Sequence, residues 1–257
     1  MMLKRAFITA NMLLCVFTAA QAAQTGAFIS VGGGHQWLSS GSDVTAATQV
    51  IQHGSYSFNA HSQSSSRNLF GRLGVGYGRM VHCHWYMATE FAASLYRTHT
   101  VGSSLTEKQD PNIPLATYTY TDRLMLNNQM ELSGILGYAW PRWMTFARLG
   151  YVNAGLDYSN TYDLNAPEPV PMSIHGMHSE SSGRVSGALM GVGVRLPVSK
   201  HLDLSAEYDY TLYANVHRHL ISNEVPQPVG TRSQSTADVN MNHLHSSNAV
   251  VSLIYTF

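Results

Sequence analysis

Ala249-Val250-Val251-Ser252-Leu253-Ile254-Tyr255-Thr256-Phe257 decides the fold, because Ala249, Val251, Leu253, Tyr255 and Phe257 share one parity. On an extended strand successive side chains point to opposite faces, so this set makes one greasy face. A strand lying in hydrocarbon needs such a face, and it needs every backbone group paired to a neighbouring strand. One strand is not enough. The pattern has to recur, and an even number of times.

It does recur. Leu69, Leu73, Val75 and Tyr77 oppose Phe70, Arg72, Gly74, Gly76 and Gly78, and Trp85, Met87, Phe91, Ala93 and Leu95 leave Glu90 and Ser94 on the other side. The longest case runs from Tyr118 to Trp140. There Tyr120, Leu124, Leu126, Met130, Leu132, Leu136 and Tyr138 oppose Thr119, Thr121, Arg123, Asn127, Gln129, Glu131, Ser133 and Gly137. Ala188 to Leu196 and Leu202 to Leu212 alternate in the same way, setting Arg195, Asp203, Glu207 and Asp209 inward. Ile29 and Val31 mark a first strand over Ala27 to Trp37. In the fifth, Met144 to Tyr158, Leu149 and Tyr151 have one parity and Leu156 and Tyr158 the other, which predicts a bulge near Gly150 or Gly155. With the terminal strand the sum is eight.

The connections sort by length. Three are short, near Val81 to His84, Pro141 to Trp143 and Pro197 to His201, and four are long: Leu38 to Ser65, Thr98 to Thr117, Asn160 to Gly183 and Ala214 to His243. An even strand number puts both ends of the chain on the periplasmic side, so the short links are periplasmic turns and the long ones extracellular loops. Trp85, Tyr138, Trp140, Trp143, Tyr255 and Phe257 then gather at one membrane boundary as an aromatic girdle. The expected fold is all-β, an eight-stranded antiparallel transmembrane β-barrel. A soluble barrel or sandwich also alternates, but it turns its large apolar residues inward, whereas here the opposite parity carries Gly, Ser, Arg and Glu.

Lys4 and Arg5, the apolar stretch Ala6 to Ala20 and the small residues of Ala20-Gln21-Ala22 read as an export signal over residues 1–22, with one barrel domain over 23–257. Cys15 follows Leu14, too large for a lipoprotein box, so no lipid anchor is expected, and no apolar run after the signal is long enough for a membrane helix. Of the two cysteines only Cys83 then remains, so no intramolecular disulfide can form. Charged residues are 12% of the 257 and cancel, 15 Lys and Arg against 15 Asp and Glu, which excludes the basic field of a nucleic-acid binder.

Eight strands enclose a bore that side chains can fill. Inward glycines at 74, 76, 78, 137, 187, 191 and 193 leave room for Arg72, Glu90, Arg123, Glu131, Arg195, Glu207 and Asp209. Opposite charges in a narrow bore should pair, because an unpaired buried charge is costly. A tight turn near Ser199 would set Arg195 opposite Asp203. Either a salt-bridged plug or an ion path through a narrow pore can be built from these residues; the small bore favours the plug.

Phe70-Gly71-Arg72-Leu73-Gly74-Val75-Gly76-Tyr77-Gly78, Gly191-Val192-Gly193-Val194-Arg195-Leu196 and Leu204-Ser205-Ala206-Glu207-Tyr208-Asp209-Tyr210-Thr211, with the final Phe257, resemble the small outer-membrane β-barrel superfamily of the opacity-protein and OmpA membrane-domain types. The resemblance spans residues 23–257 and specifies architecture. It implies adhesion, host contact or envelope stabilisation, with outer-membrane lipid and lipopolysaccharide around the barrel. Val251, Leu253, Tyr255 and Phe257 also resemble the signal read by the barrel-assembly machinery. No domain is expected after the barrel, so the resemblance does not imply peptidoglycan binding.

Histidine is the unusual feature, with thirteen residues, among them His53, His61, His99, His175, His178, His217, His219, His243 and His245 in predicted loops. His217 and His219, like His243 and His245, share a face if extended, so they could hold zinc or copper, but no cysteine or acidic cluster completes a site and no metal or cofactor is expected. The same histidines would gain charge in mildly acidic surroundings and bind anionic surfaces better there. Cys83 between His82 and His84 reads as a tolerated turn thiol. Enzymes that remodel lipid A also use such barrels; His245 and Ser247, with Glu180 or Asp238, are the nearest approach to a base, nucleophile and acid. Serine is abundant enough here to give that pair by chance, so no catalysis is expected. Ser, Thr, Asn, Gln and His with Tyr56, Phe58 and Tyr162 instead suit contact with protein or glycan, and Gln49 to Ile51 and Ser55 to Asn59 could extend the first hairpin.

Overall fold

A computed structural model describes residues 24–50, 54–82, 84–110, 113–166, 172–224 and 233–257. The export signal and Cys83 lie outside them. Among these residues nine strands form: β1 (Gly26–Val50), β2 (Gly54–His82), β3 (Trp85–Asp110), β4 (Ile113–Ala139), β5 (Met144–Ala166), β6 (Met172–Pro197), β7 (Leu202–Tyr213), β8 (Val216–Glu224) and β9 (Ser233–Thr256). Strands β1 to β7 pair antiparallel in chain order, β7 pairs with β9, and β9 closes on β1. Among the described residues strand β8 pairs only with the far end of β9, so eight strands make the ring.

The outward faces are those that hydrocarbon requires. Leu73, Val75 and Tyr77 on β2 and Val251, Leu253 and Tyr255 on β9 are exposed, whereas Arg72, Glu90, Val250 and Ile254 are buried in the bore. At the periplasmic end Tyr138 meets Trp85 and Trp140 edge to face, and Trp140 stacks on Trp143.

The long connections are strand over most of their length. β1 runs on to Val50 and β2 starts at Gly54, paired residue for residue, and β3 with β4 and β5 with β6 continue as well, with register shifts between Ser94 and Arg97, Lys108 and Asp110, and Tyr162 and Leu164. Hydropathy falls there because the strands leave hydrocarbon for water; the backbone ladder is indifferent to that change and continues. Above Gly71 and Leu95, however, no ladder joins β2 to β3 among the described residues, and above Gly187 none joins β6 to β8. The extension therefore divides into two four-stranded sheets, β8-β9-β1-β2 and β3-β4-β5-β6.

Between these sheets lies an apolar core that includes Leu38, Val44, Leu124, Leu126, Leu156, Val185, Leu220, Val239 and Met241. Apolar side chains thus face out in the membrane and in above it. Two β-bulges make the change. Strand β4 slips register against β5 between Asn127 and Met130, with Asn128 at φ 39°, and β9 slips against β1 beside His243 at φ 60°. Below the first bulge Gln129, Glu131, Ser133 and Ile135 face in; above it Tyr120, Asp122, Leu124 and Leu126 do. One extra residue exchanges the two faces, and Asn tolerates the left-handed backbone this needs.

Two expectations fail for that reason. Arg123 is turned outward, and Tyr120, Leu124 and Leu126 are turned inward. The bulge predicted at Gly150 or Gly155 is absent, since β5 keeps Met144, Phe146, Arg148, Val152, Ala154, Leu156 and Tyr158 inward throughout; the irregularity sits on its partner β4. Leu156→Ala should cost the extension about 2–5 kcal/mol as a cavity. Proteolysis of the extension should accelerate while the membrane ring stays folded, and equal cleavage rates would show that the sheets do not share this core.

Candidate functional site

The bore holds an ionic layer built from five strands. Arg72 comes from β2, Glu90 from β3, Glu131 from β4, Arg148 from β5, and Glu207 and Asp209 from β7. Arg148 donates through Nη2 to Glu131 at 2.6 Å and Glu90 at 2.8 Å, through Nη1 to Glu207 at 3.1 Å, and through Nε to Ser133 at 3.0 Å. Arg72 donates to Glu131 and Glu207, reaches Glu90 at 3.4 Å and lies 3.5 Å from Asp209. The Ser30 hydroxyl completes the shell of Glu90 at 2.6 Å.

Glycine makes the layer possible. A Cβ on Gly74 would collide with the Glu90 carboxylate and the Ser30 hydroxyl, and one on Gly191 with the Asp209 carboxylate. Toward the periplasm Arg195 sits among the rings of Phe28, Tyr86 and Phe146, 5.4 to 5.9 Å from their centres. A guanidinium over aromatic faces is attracted by their quadrupoles, and Arg195 also donates to the Tyr86 hydroxyl at 3.4 Å. Arg195 lies across from Ser205 and Asp203 across from Pro197, so they do not face each other: the turn takes four residues, Val198 to His201. Above the layer Tyr213 donates to Gln129 at 2.8 Å, and the Tyr120 and Tyr158 hydroxyls bond to each other.

The structure brings together Arg72, Glu90, Glu131, Glu207 and Asp209, sets Arg195 and Asp203 below them, and removes Arg123 to the outer wall. Arg148 is the member that the sequence reading missed. Its inward neighbours Met144, Phe146 and Val152 are apolar, which hid the parity of β5. Counting from Leu149 and Tyr151, both lipid-facing, would have found it.

On the outside, Arg123 lines a cavity of about 640 Å³ with Asp157, Glu180 and the serines at 159, 181 and 182, and Asn127 donates to Asp157 at 2.6 Å. The would-be catalytic groups do not assemble. His245 donates to the His243 carbonyl at 2.9 Å, Asp238 accepts from His219 at 2.7 Å, and Glu180 pairs across to Ser159 on β5. No group of three metal-binding side chains is present among the described residues.

A closed antiparallel ring with an apolar exterior band and a charged interior defines an outer-membrane β-barrel. The chain belongs to the family of the outer membrane protein beta-barrel domain, whose model matches residues 8–257, and it is a protein of the Gram-negative outer membrane. No curated protein matches in sequence. Among solved structures it is similar to Neisserial surface protein A, with 13% identity, 90% of this chain and 99% of that one covered, and a TM-score of 0.32. It is also similar to OprG of Pseudomonas aeruginosa, with 13% identity, coverage of 93% and 99% and a TM-score of 0.42. The protease OmpT of Escherichia coli gives 10% identity, coverage of 90% and 97% and a TM-score of 0.47.

Proposed function

We propose that this barrel is a surface-interaction protein, binding a host or envelope ligand through the walls and tips of its extension, with a sealed bore and no catalytic role. The observation that carries the reading is the extension itself. Paired strands with their own apolar core hold polar walls in a fixed shape above the membrane, and such a shape limits the ordering entropy lost on binding. A lipid-stabilising barrel would need none of it.

Sealing is supported by three successive fillings of the bore. The apolar group of Phe28, Tyr86, Ile135, Met144 and Phe146 lies toward the periplasm, the ionic layer next, and the apolar core of the extension beyond. Pure folded protein in planar bilayers should give no conductance steps; steady unitary steps would replace this reading with a narrow pore. Exchanging the four hairpin extensions one at a time should abolish attachment of whole cells for at least one exchange. Attachment unchanged by all four would overturn the adhesive role. Lipid A mass spectra should be the same with and without the protein. The export signal at 1–22 and assembly through Val251, Leu253, Tyr255 and Phe257 belong to the same proposal.

A further inference from the structure

Of the histidines that the sequence puts in loops, His61, His217, His219 and His243 stand on a sheet, while His53 lies outside the described residues. On the outer wall of β8-β9-β1-β2, Asp43 faces His61 on one side and Asn240 on the other, and Asn240 faces His217. One step along, Thr45, Asp238 and His219 form the next row. The β9 bulge turns His243 outward beside them, where a charge on its imidazole would favour the ionised Asp43 carboxyl. Neighbouring strands are about 4.8 Å apart, so the row from His61 to His217 spans roughly 14 Å.

The contacts are specific. His61 donates from Nδ1 to Asp43 at 2.6 Å, His219 from Nδ1 to Asp238 at 2.7 Å, and His217 from Nδ1 to Asn240 at 2.6 Å, with His217 Nε2 also 3.9 Å from Asp238. Gln63 faces His61 Nε2, and Asn242 donates to Asp43 at 3.2 Å. Arg218 does not join this face, because its guanidinium lies against Gly183 of β6. The side chains of His61, His217 and His219 are each more than half exposed.

We propose that His61, His217, His219 and His243 form an acid-switched surface that binds the phosphate groups of the lipopolysaccharide core around the barrel. With neutral imidazoles the patch carries the two negative charges of Asp43 and Asp238 and repels phosphate. With four imidazolium groups it carries two positive charges. Histidine is the side chain that makes this change across mildly acidic pH. The hydrogen bond from His61 holds the Asp43 carboxyl below the usual carboxylate range, so it stays ionised across mildly acidic pH. The occupant follows from the direction of the wall. It faces sideways, about six residues of strand above Trp37, and is bathed by the polar part of the surrounding lipopolysaccharide, whereas a soluble partner meets the hairpin tips first.

The test uses the full barrel in nanodiscs of zwitterionic phospholipid, titrated calorimetrically with purified phosphorylated core oligosaccharide and with the same sugar after phosphate removal. Binding should be about tenfold or more tighter near pH 5.5 than near pH 7.5, and the gain should vanish without phosphate. Changing all four residues, His61→Asn, His217→Asn, His219→Asn and His243→Asn, should remove the gain; Asn suits the left-handed backbone at 243. The pair Asp43→Asn and Asp238→Asn should instead raise affinity near pH 7.5, which gives a readout even if the fourfold variant does not fold. Equal affinity at both pH values, an equal gain for the dephosphorylated sugar, or a gain that survives in the folded fourfold variant would overturn the proposal.

Discussion

Arg148→Met is expected to destabilise the folded barrel by about 3–5 kcal/mol, the largest loss of any single side chain in the bore. Removing this guanidinium leaves Glu90, Glu131 and Glu207 to share Arg72 alone, in a layer where each of these side chains is less than a tenth exposed. The layer already holds four carboxylates against two guanidiniums, so taking away one cation enlarges a buried surplus of negative charge from two to three. Urea unfolding in detergent micelles measures the loss. Loss of the Ser133 hydroxyl alone, by Ser133→Ala, should cost only about 1–2 kcal/mol, because it removes one hydrogen bond from Arg148, a long one to the Glu90 carbonyl, and no charge. Equal midpoints for Arg148→Met and the unaltered protein would show that the layer contributes nothing to stability.

Gly34→Val is expected to prevent closure altogether. Gly34 lies on β1 where that strand meets β9, and a Cβ there would run into the backbone of Ala249 and Val250, which has no rotamer to escape into. The ring has one closing seam, and the loss would leave both β1 and β9 with unpaired backbone groups in lipid, each costing several kcal/mol. The folded protein should migrate differently on gels with and without boiling, and the variant should run at a single position. A heat-shifted band for Gly34→Val would show that the strands part enough to accept the side chain. Gly74 gives a contrast: there the obstructing atoms are the ends of Glu90 and Ser30 side chains, so Gly74→Ala should weaken the ionic layer but still close.

The membrane band was legible because hydrocarbon imposes one rule on every outward side chain. Leu73, Val75, Phe91, Leu132, Leu136, Val192, Leu253 and Tyr255 all obey it, and the inward carboxylates Glu90, Glu131, Glu207 and Asp209 follow by alternation. Above the membrane the rule reverses. Leu124 and Leu126 keep the same numerical parity as Met130 and Leu132 yet occupy the opposite face, because Asn128 adds one residue between them. An unbroken run of even-numbered apolar residues therefore reads as one lipid-facing strand, and Arg123 with it as a bore residue. A polar Asn-Asn step at 127 and 128 was the available sign of a bulge. The extended hairpins were hidden for a related reason: serine-rich stretches such as Ser62 to Ser66 look like loops by composition, and only their pairing with Ser42 to Leu38 makes them strand.

Because the exchange of faces costs a single residue on β4 and on β9, changes in chain length above those points follow an arithmetic of parity. Inserting or deleting two residues in a hairpin lengthens or trims it and leaves every side chain on its proper side. Inserting or deleting one residue between a bulge and the hairpin tip turns the outer part of that strand inside out, carrying leucines to water and serines to the core. Descendants of this gene can thus vary the height of the structure freely, provided they vary it in even steps.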